Sequence, residues 1–469
     1  ATIDKLLVKA SEGLVQGGAK KTLVEAGGAS ITSFQLPAPP KPNPTDPNAE
    51  SGLTVPKSLL NVGWFIKDTT LVMGNGAGTL RSVLARWDGE HTATFAGNPI
   101  YRYIAKHGAS DGPQPVLEWY FDPITTVQSV ILASDPNNFQ AQLALGFLPT
   151  LGLDKVKAIG GTVNIATPKF DEVTRTVIYV DTPRTGALNI LKFPAVAQQP
   201  PKWVPASSTS YWSLNWDLQA AWRGVANIVD SFNAQGPGTF DQLADEAARQ
   251  PNGPMIHPKK DLIDHLSGRI QLITDSPETA EGQPSASRML LALGIKNASG
   301  ITATIGKLAN TPGSPLVARQ FRGVTIYDLP NPLQAGAGVG TDGMALAVHQ
   351  GQLMLAMPGT LLEQIIRGDV KPLSESAEYK QLATAFPTRT SVISFGKSDS
   401  QMKSVYDLIK GGGLPLPPNA GANALPLDFT KLPPFETIKK YLQPSGTYII
   451  PDENGVVIVG FSLRPKSKP

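Results

Sequence analysis

The residues best placed to do chemistry are the glycines of Gly74-Asn75-Gly76-Ala77-Gly78, which follow an apolar strand pattern and precede a helical one. Backbone N–H groups at such a helix start can cradle a phosphate. A G-x-G-x-x-G run would need glycine where Thr79 stands, and no Walker Lys-Ser/Thr pair follows. The stretch therefore reads as a plain strand-to-helix turn, having lost the packing role of the third glycine. Gly108-Ala109-Ser110-Asp111-Gly112 matches the G-x-S-x-G of a nucleophile elbow, which requires a strand before the serine and a helix after it. Here the helical pattern comes first, which makes the run a surface loop. Ser400-Gln401-Met402-Lys403 has the S-x-x-K form without a K-T-G or S-D-N partner, and Ser400 is expected to cap the following helix. The five histidines, His91, His107, His257, His265 and His349, never take H-x-x-x-H or H-E-x-x-H spacing. Carboxylates recur in turns at Asp122-Pro123, Asp135-Pro136 and Asp342-Gly343, and no pair shares a helix face suited to acid-base work. The sequence thus names no catalytic, cofactor-binding or metal-ligating residue.

All seven tryptophans precede residue 223, and Trp203, Trp212, Trp216 and Trp222 crowd one region. Exposed, they would form a platform for sugar rings. Trp212, Leu214 and Trp216, however, alternate along one strand face, and the expectation is that this face is core.

The elements that position these residues form a repeat. Residues 64–87 and 344–369 both read as an apolar strand, a polar turn, a second apolar strand, and a Thr-Leu pair (Thr79-Leu80, Thr360-Leu361) in an amphipathic helix. Leu71, Met73, Leu80, Val83 and Leu84 are expected to be buried like Leu353, Leu355, Leu361 and Ile365. A helix at 2–15, with Ile3, Leu6, Leu7, Ala10 and Leu14 on one face, leads to a hairpin turned at Gly27-Gly28 and a proline-rich loop at 37–47. Residues 321–330 echo 28–37, and a Gly/Ala-rich loop at 334–343 takes the place of the proline-rich one. Helix, strand and helix patterns at 99–106, 116–121 and 123–132 are matched at 376–386, 390–395 and 402–410. Each half closes on a strand pair, 161–167 with 174–181 and 447–450 with 456–463; Asn454-Gly455 in the second signals a type I′ turn.

The expected fold is therefore α+β: two related units with mainly antiparallel sheets flanked by helices. Residues 1–197 form the first unit, 198–206 (QQPPKWVPA) a Pro-rich linker, and 207–469 the second. In the second unit a strand at 210–216, a helix at 218–232 capped by Asp217, a helix at 261–266 and strands at 269–274 and 288–295 all precede the helix at 301–309. The first unit lacks that block before its matching helix at 2–15. An unpaired sheet edge and an apolar face are expected there, covered by another copy, by an upstream fragment or by the second unit.

Composition narrows the function. At 469 residues the chain can bury large cores, its 41% hydrophobic content is globular, and its 17% charged residues fall below the usual ~25%. A net charge of +3 without any Lys/Arg run argues against a nucleic-acid partner. The absence of cysteine excludes disulfides and thiolate chemistry. No apolar run reaches the ~18 residues of a membrane span. Low charge and no cysteine suit a secreted, periplasmic or cell-envelope protein whose leader was removed upstream of residue 1.

The run 203–217 (WVPASSTSYWSLNWD), residues 253–261 with Leu266-Ser267-Gly268-Arg269, and residues 321–327 resemble a family of uncharacterised, predicted secreted proteins of planctomycete bacteria. The resemblance covers most of the chain and implies an extracytoplasmic location without implying an activity. Family chains begin their first unit upstream of the helix at Thr2, a departure here. The expected function is a non-enzymatic structural or interaction protein that self-associates or binds another envelope protein, with no cofactor. The alternatives are a carbohydrate or small-ligand binder using the inter-unit cleft or the Trp203–Trp222 region, and a hydrolase with an unrecognised site.

Overall fold

The computed structural model describes residues 2–38, 60–87, 89, 94–109, 112, 114–134, 139–233, 235–251, 253–275, 288–329, 343–410 and 432–465. The loops expected at 39–47 and 334–342, with His91, Ser110, Asp111 and Asp135, lie outside the described residues. Two compact units emerge: Ala1–Arg102 with Asp122–Leu148, and Tyr103–Phe121 with Pro149–Pro469.

In the first unit, α1 (Thr2–Gln16) precedes β1 (Lys20–Ala26), β2 (Ala29–Gln35), β3 (Asn61–Lys67), β4 (Thr70–Gly74) and α2 (Gly76–Leu84). The four strands form an antiparallel sheet in the order β1-β2-β3-β4. Period-2 alternation splits the apolar residues between its faces. Ile31 and Phe65 pack with Leu80 and Leu84 of α2, while Phe34 and Trp64 meet Leu7 and Leu14 of α1 on the other side. Leu80 fits a notch between two glycines paired across β3 and β4: a Cβ on Gly63 would stand 3.1 Å from Leu80 Cδ1, and one on Gly74 3.2 Å from Leu80 Cδ2. The stripe expected on α1 is narrower than its pattern, since Ile3 and Leu6 are exposed and only the Leu7–Leu14 side reaches the sheet. Past the start of α3 (Pro99–Gly108), the unit also holds α4 (Pro123–Ser134), where Asp122 accepts the Thr125 N–H at 2.9 Å, and α5 (Phe139–Gly146).

The second unit is built on β5 (Leu117–Phe121), β6 (Val156–Ile165), β7 (Phe170–Val180), β8 (Ser210–Asn215), β9 (Leu266–Asp275), β10 (Arg288–Ile295), β11 (Val317–Phe321), β12 (Val324–Leu329), β13 (Met344–His349), β14 (Gln352–Met357), β15 (Val392–Gly396), β16 (Ser445–Asp452) and β17 (Gly455–Leu463). They make one 13-stranded sheet, ordered β11-β12-β13-β14-β10-β9-β8-β15-β16-β17-β7-β6-β5, antiparallel throughout. The α+β class with antiparallel sheets is thus the fold of the chain. Its helices are α6 (Leu218–Phe232), α7 (Thr239–Arg249), α8 (Ala298–Ala309), α9 (Gly359–Arg367), α10 (Ala377–Ala383), α11 (Ser398–Lys410) and α12 (Phe435–Lys439). Asp217 caps α6 by accepting the Ala220 N–H at 2.9 Å. Residues 198–206 are packed down: Trp203 and Val204 are buried and Pro205 bridges Pro372.

The repeat extends to strand register. In β1–β2 the turn is Gly27-Gly28 (φ 53° and 75°); in β11–β12 it is Arg322-Gly323 (φ 47° and 79°). The pairs Thr32↔Trp64 and Ser33↔Gly63 correspond to Tyr327↔Leu346 and Asp328↔Ala345. Lys67↔Thr70 and Phe65↔Val72 correspond to His349↔Gln352 and Ala347↔Met354, and both tight turns open on a left-handed residue, Asp68 (φ 53°) or Gln350 (φ 46°). Burial diverges: Leu80, Leu84, Leu361 and Ile365 are buried as expected, but Met73 and Val83 are exposed. Met73 sits on the outermost strand and lies outside the α1-side cluster that Leu71 joins.

Two further expectations are corrected. The β16–β17 loop is Glu453-Asn454, since Asp452 pairs with Gly455. Gly455 (φ 142°) belongs to the strand, where a Cβ would lie 1.8 Å from the Ile178 carbonyl oxygen. On β8, Trp212 is exposed and Leu214 buried, while Tyr211 and Ser213 on the opposite face are both buried; Trp216, just past the strand, is half-buried. Polar partners make the Tyr211 face tolerable inside. Ser213 Oγ donates to Gln198 Oε1 (2.9 Å), Arg269 reaches Ser213 Oγ and Tyr211 Oη (3.3 Å each), Tyr211 Oη donates to Gln271 Oε1 (2.9 Å), and Gln271 Nε2 donates to Gln352 Oε1 (3.1 Å).

Candidate functional site

The glycine run behaves as a turn. Asn75 precedes α2, Thr79 Oγ1 donates to Asn75 Oδ1 at 2.8 Å, and Gly76 takes a left-handed φ of 82°. The hollow over this helix start is lined by Thr22, Ser33, Asn61 and residues 75–79, with no cation to meet a phosphate. Ser400 lies inside α11, which begins at Ser398, so it is not that helix's cap. The Trp203–Trp222 region forms no platform. Trp203 and Trp222 are buried, Trp216 donates Nε1–H to the Ile190 carbonyl at 2.6 Å, and only Trp212 is open.

Of the described histidines, His257 is buried beside Asp245 (3.3 Å) and accepts N–H groups from Lys259 and Lys260. His265 meets Asn297, and burial pushes His349 down. Among the described residues no group of His, Asp and Glu is arranged to hold a metal ion.

One polar constellation carries no sequence motif. Tyr103 Oη donates to Asp452 Oδ2, and His107 Nε2 lies 3.3 Å from the same oxygen. His107 Nδ1 sits 2.8 Å from the Tyr103 carbonyl, with the rings stacked at 4.0 Å. Arg184 donates to the carbonyls of Asp452 and Gly455 at 3.2 and 3.0 Å. Burial, then the Asp452 carboxylate, push the Tyr103 phenol up to about 12. Burial alone would raise Asp452, but the bonds from Tyr103 and the Glu453 N–H, with His107 and Arg184 nearby, hold it below the usual carboxylate range. A protonated phenol on an ionised carboxylate is a poor base beside a group it already satisfies. The arrangement fastens α3 to the β16–β17 turn.

The feature that distinguishes the two halves is an edge. β14 is flanked by β10, and β15 by β8, whereas their counterparts β4 and β5 are terminal strands among the described residues. Terminal strands are usually blunted by charge. β1 carries Lys20, Lys21 and Glu25, β5 carries Glu118, and β11 carries Arg319, but β4 reads Thr-Leu-Val-Met-Gly with no charge, proline or bulge. Met73 on it is 61% exposed. In the second unit the less covered face of the sheet also carries an apolar row, Trp212↔Leu272↔Leu291↔Leu355↔Leu346, running across five strands.

The chain matches no family model, no curated protein and no solved structure.

Proposed function

We propose that this protein works by association rather than catalysis, as a structural or interaction subunit of an extracytoplasmic assembly that takes up another polypeptide along a sheet edge. The observation that carries the reading is the uncharged edge of β4, unpaired among the described residues, in a chain whose matching strand β14 is paired along its length with β10. Strand addition of this kind draws affinity from main-chain hydrogen bonds and specificity from alternate side chains. Trp212, exposed at the end of a row of half-buried leucines, adds a second apolar contact point for a protein partner. The resemblance to secreted planctomycete proteins and the low charge support the extracytoplasmic location.

Native material, cross-linked through lysines such as Lys67 beside β4 and analysed by mass spectrometry, tests this. Polypeptide adducts, from another copy or another envelope protein, are expected. Native protein recovered as an adduct-free monomer would overturn the reading.

A further inference from the structure

Resting on that reading, we infer that the β4 edge accepts one strand of a different polypeptide, antiparallel, with the side-chain pattern of β10. The β10–β14 seam is the template, because β1–β4 and β11–β14 share their registers pair for pair. In a two-residue hairpin the closing pair exchanges its hydrogen bonds, so Thr70, Val72 and Gly74 bond inward to β3. The N–H and C=O groups of Leu71 and Met73 point outward. Their counterparts Leu353 and Leu355 meet Leu293 and Leu291 of β10.

Transferred onto β4, the template sets Leu290, Leu291, Ala292, Leu293 and Gly294 of the β10 pattern opposite Gly74, Met73, Val72, Leu71 and Thr70. The alternation is sterically apt. Gly74 adds no side chain on that face, where a Cβ would already crowd the fully buried Leu80, so it is matched with the large residue, as Ala356 is matched with Leu290 in the second unit. Val72, bulkier, takes the small one, as Met354 takes Ala292 in the second unit. A second copy of β4, paired about Val72, would put Thr70 opposite Gly74 and valine opposite valine, matching neither the leucine nor the alanine of the template. The occupant is therefore a distinct polypeptide with the large-large-small-large-small order of Leu290–Gly294 and no charge on those positions.

The probe is a synthetic peptide of residues 288–295 with lysine-flanked ends, added to the full chain and followed by amide hydrogen exchange. Exchange at Leu71 and Met73 is expected to slow by about tenfold or more, while the β11 and β1 edges are unchanged. Met73→Lys, at an exposed position, abolishes the protection without altering thermal unfolding; Met73→Leu retains it. Protection confined to another segment overturns this inference but leaves the association reading standing. No protection at saturating peptide overturns it as well. So does protection of Leu71 and Met73 that appears without peptide and tracks dimer formation by light scattering, because the occupant is then a second copy.

Discussion

Leu80→Ala tests whether the first unit is held by the notch between Gly63 and Gly74. Leu80 is fully buried with Ile31, Phe65 and Leu84. Truncation removes about three methylene equivalents at about 0.8 kcal/mol each, roughly 2.4 kcal/mol of transfer free energy. The cavity left behind adds to this, and the glycines on either side have no Cβ to move into it. We therefore expect about 3–4 kcal/mol, within the span measured for buried Leu→Ala changes. The assay is amide exchange against denaturant, read separately for β1–β4 and for β8–β10. Opening free energies should fall by that amount in β1–β4 and hold in β8–β10, and Leu80→Met should lose less than about 1.5 kcal/mol. A loss below about 1 kcal/mol, or equal losses in both sets of strands, would refute the reasoning.

Gly455→Ala should destabilise the β7–β17 seam by more than about 2 kcal/mol, read as a lowered urea midpoint, because the added methyl meets the Ile178 carbonyl and the backbone is left-handed. Asp217→Ala should cost about 1 kcal/mol through the lost α6 cap, with Asp217→Asn retaining most of it. On the acid side, the Ala220 N–H and Lys192 hold Asp217 below its ordinary value, and Asp452 is also held low. Folded values below the unfolded ~3.9 mean this stability is intact above that pH and is lost as pH falls through the folded values. Thermal scans from neutral to strongly acid pH should show the decline, and Asp452→Asn should flatten it. On the alkaline side, the phenol of Tyr103 is raised to about 12, so its contribution holds below the ordinary tyrosine value of ~10 and vanishes as pH rises through 12. Tyr103→Phe should remove that alkaline loss.

Much of the architecture was legible because it rests on local rules. Gly27-Gly28 turned a hairpin, Asp217 capped a helix, and the echo of residues 64–87 in 344–369 carried through to shared strand register. The errors came where pattern and tertiary context disagree. On β8 the apolar alternation marks the Trp212–Leu214 face as core, yet the opposite face is the more deeply buried, because the polar groups of Tyr211 and Ser213 find Gln198, Arg269 and Gln271 from other segments. Nothing in the residue types of β8 reveals those partners. Met73 looked like Leu355, and differs because β10 covers one and no described strand covers the other. Helix α7 was missed altogether. Tyr103, His107 and Asp452 meet only through the fold; the spacing of Tyr103 and His107 on one face of α3 was the one local hint. That β4 ends its sheet among the described residues could be anticipated by comparing the halves, but its lack of charge matters only with that position in hand.

The position of β16 and β17 in the sheet has a consequence for biosynthesis. This hairpin is the last of the sheet to be translated, yet it lies between β15 and β7 and supplies the seam on each side. Tyr179 waits for Gly455 across about 275 residues, roughly 15–55 s at 5–20 residues per second. Throughout that interval the β17-facing edge of β7 is exposed on the nascent chain, and β15 stays open for the shorter time it precedes β16. A ribosome stalled in the 411–444 region would leave both edges bare, so holding this chain soluble during synthesis falls to whatever binds it at that stage, and a late truncation should be more damaging than its length suggests.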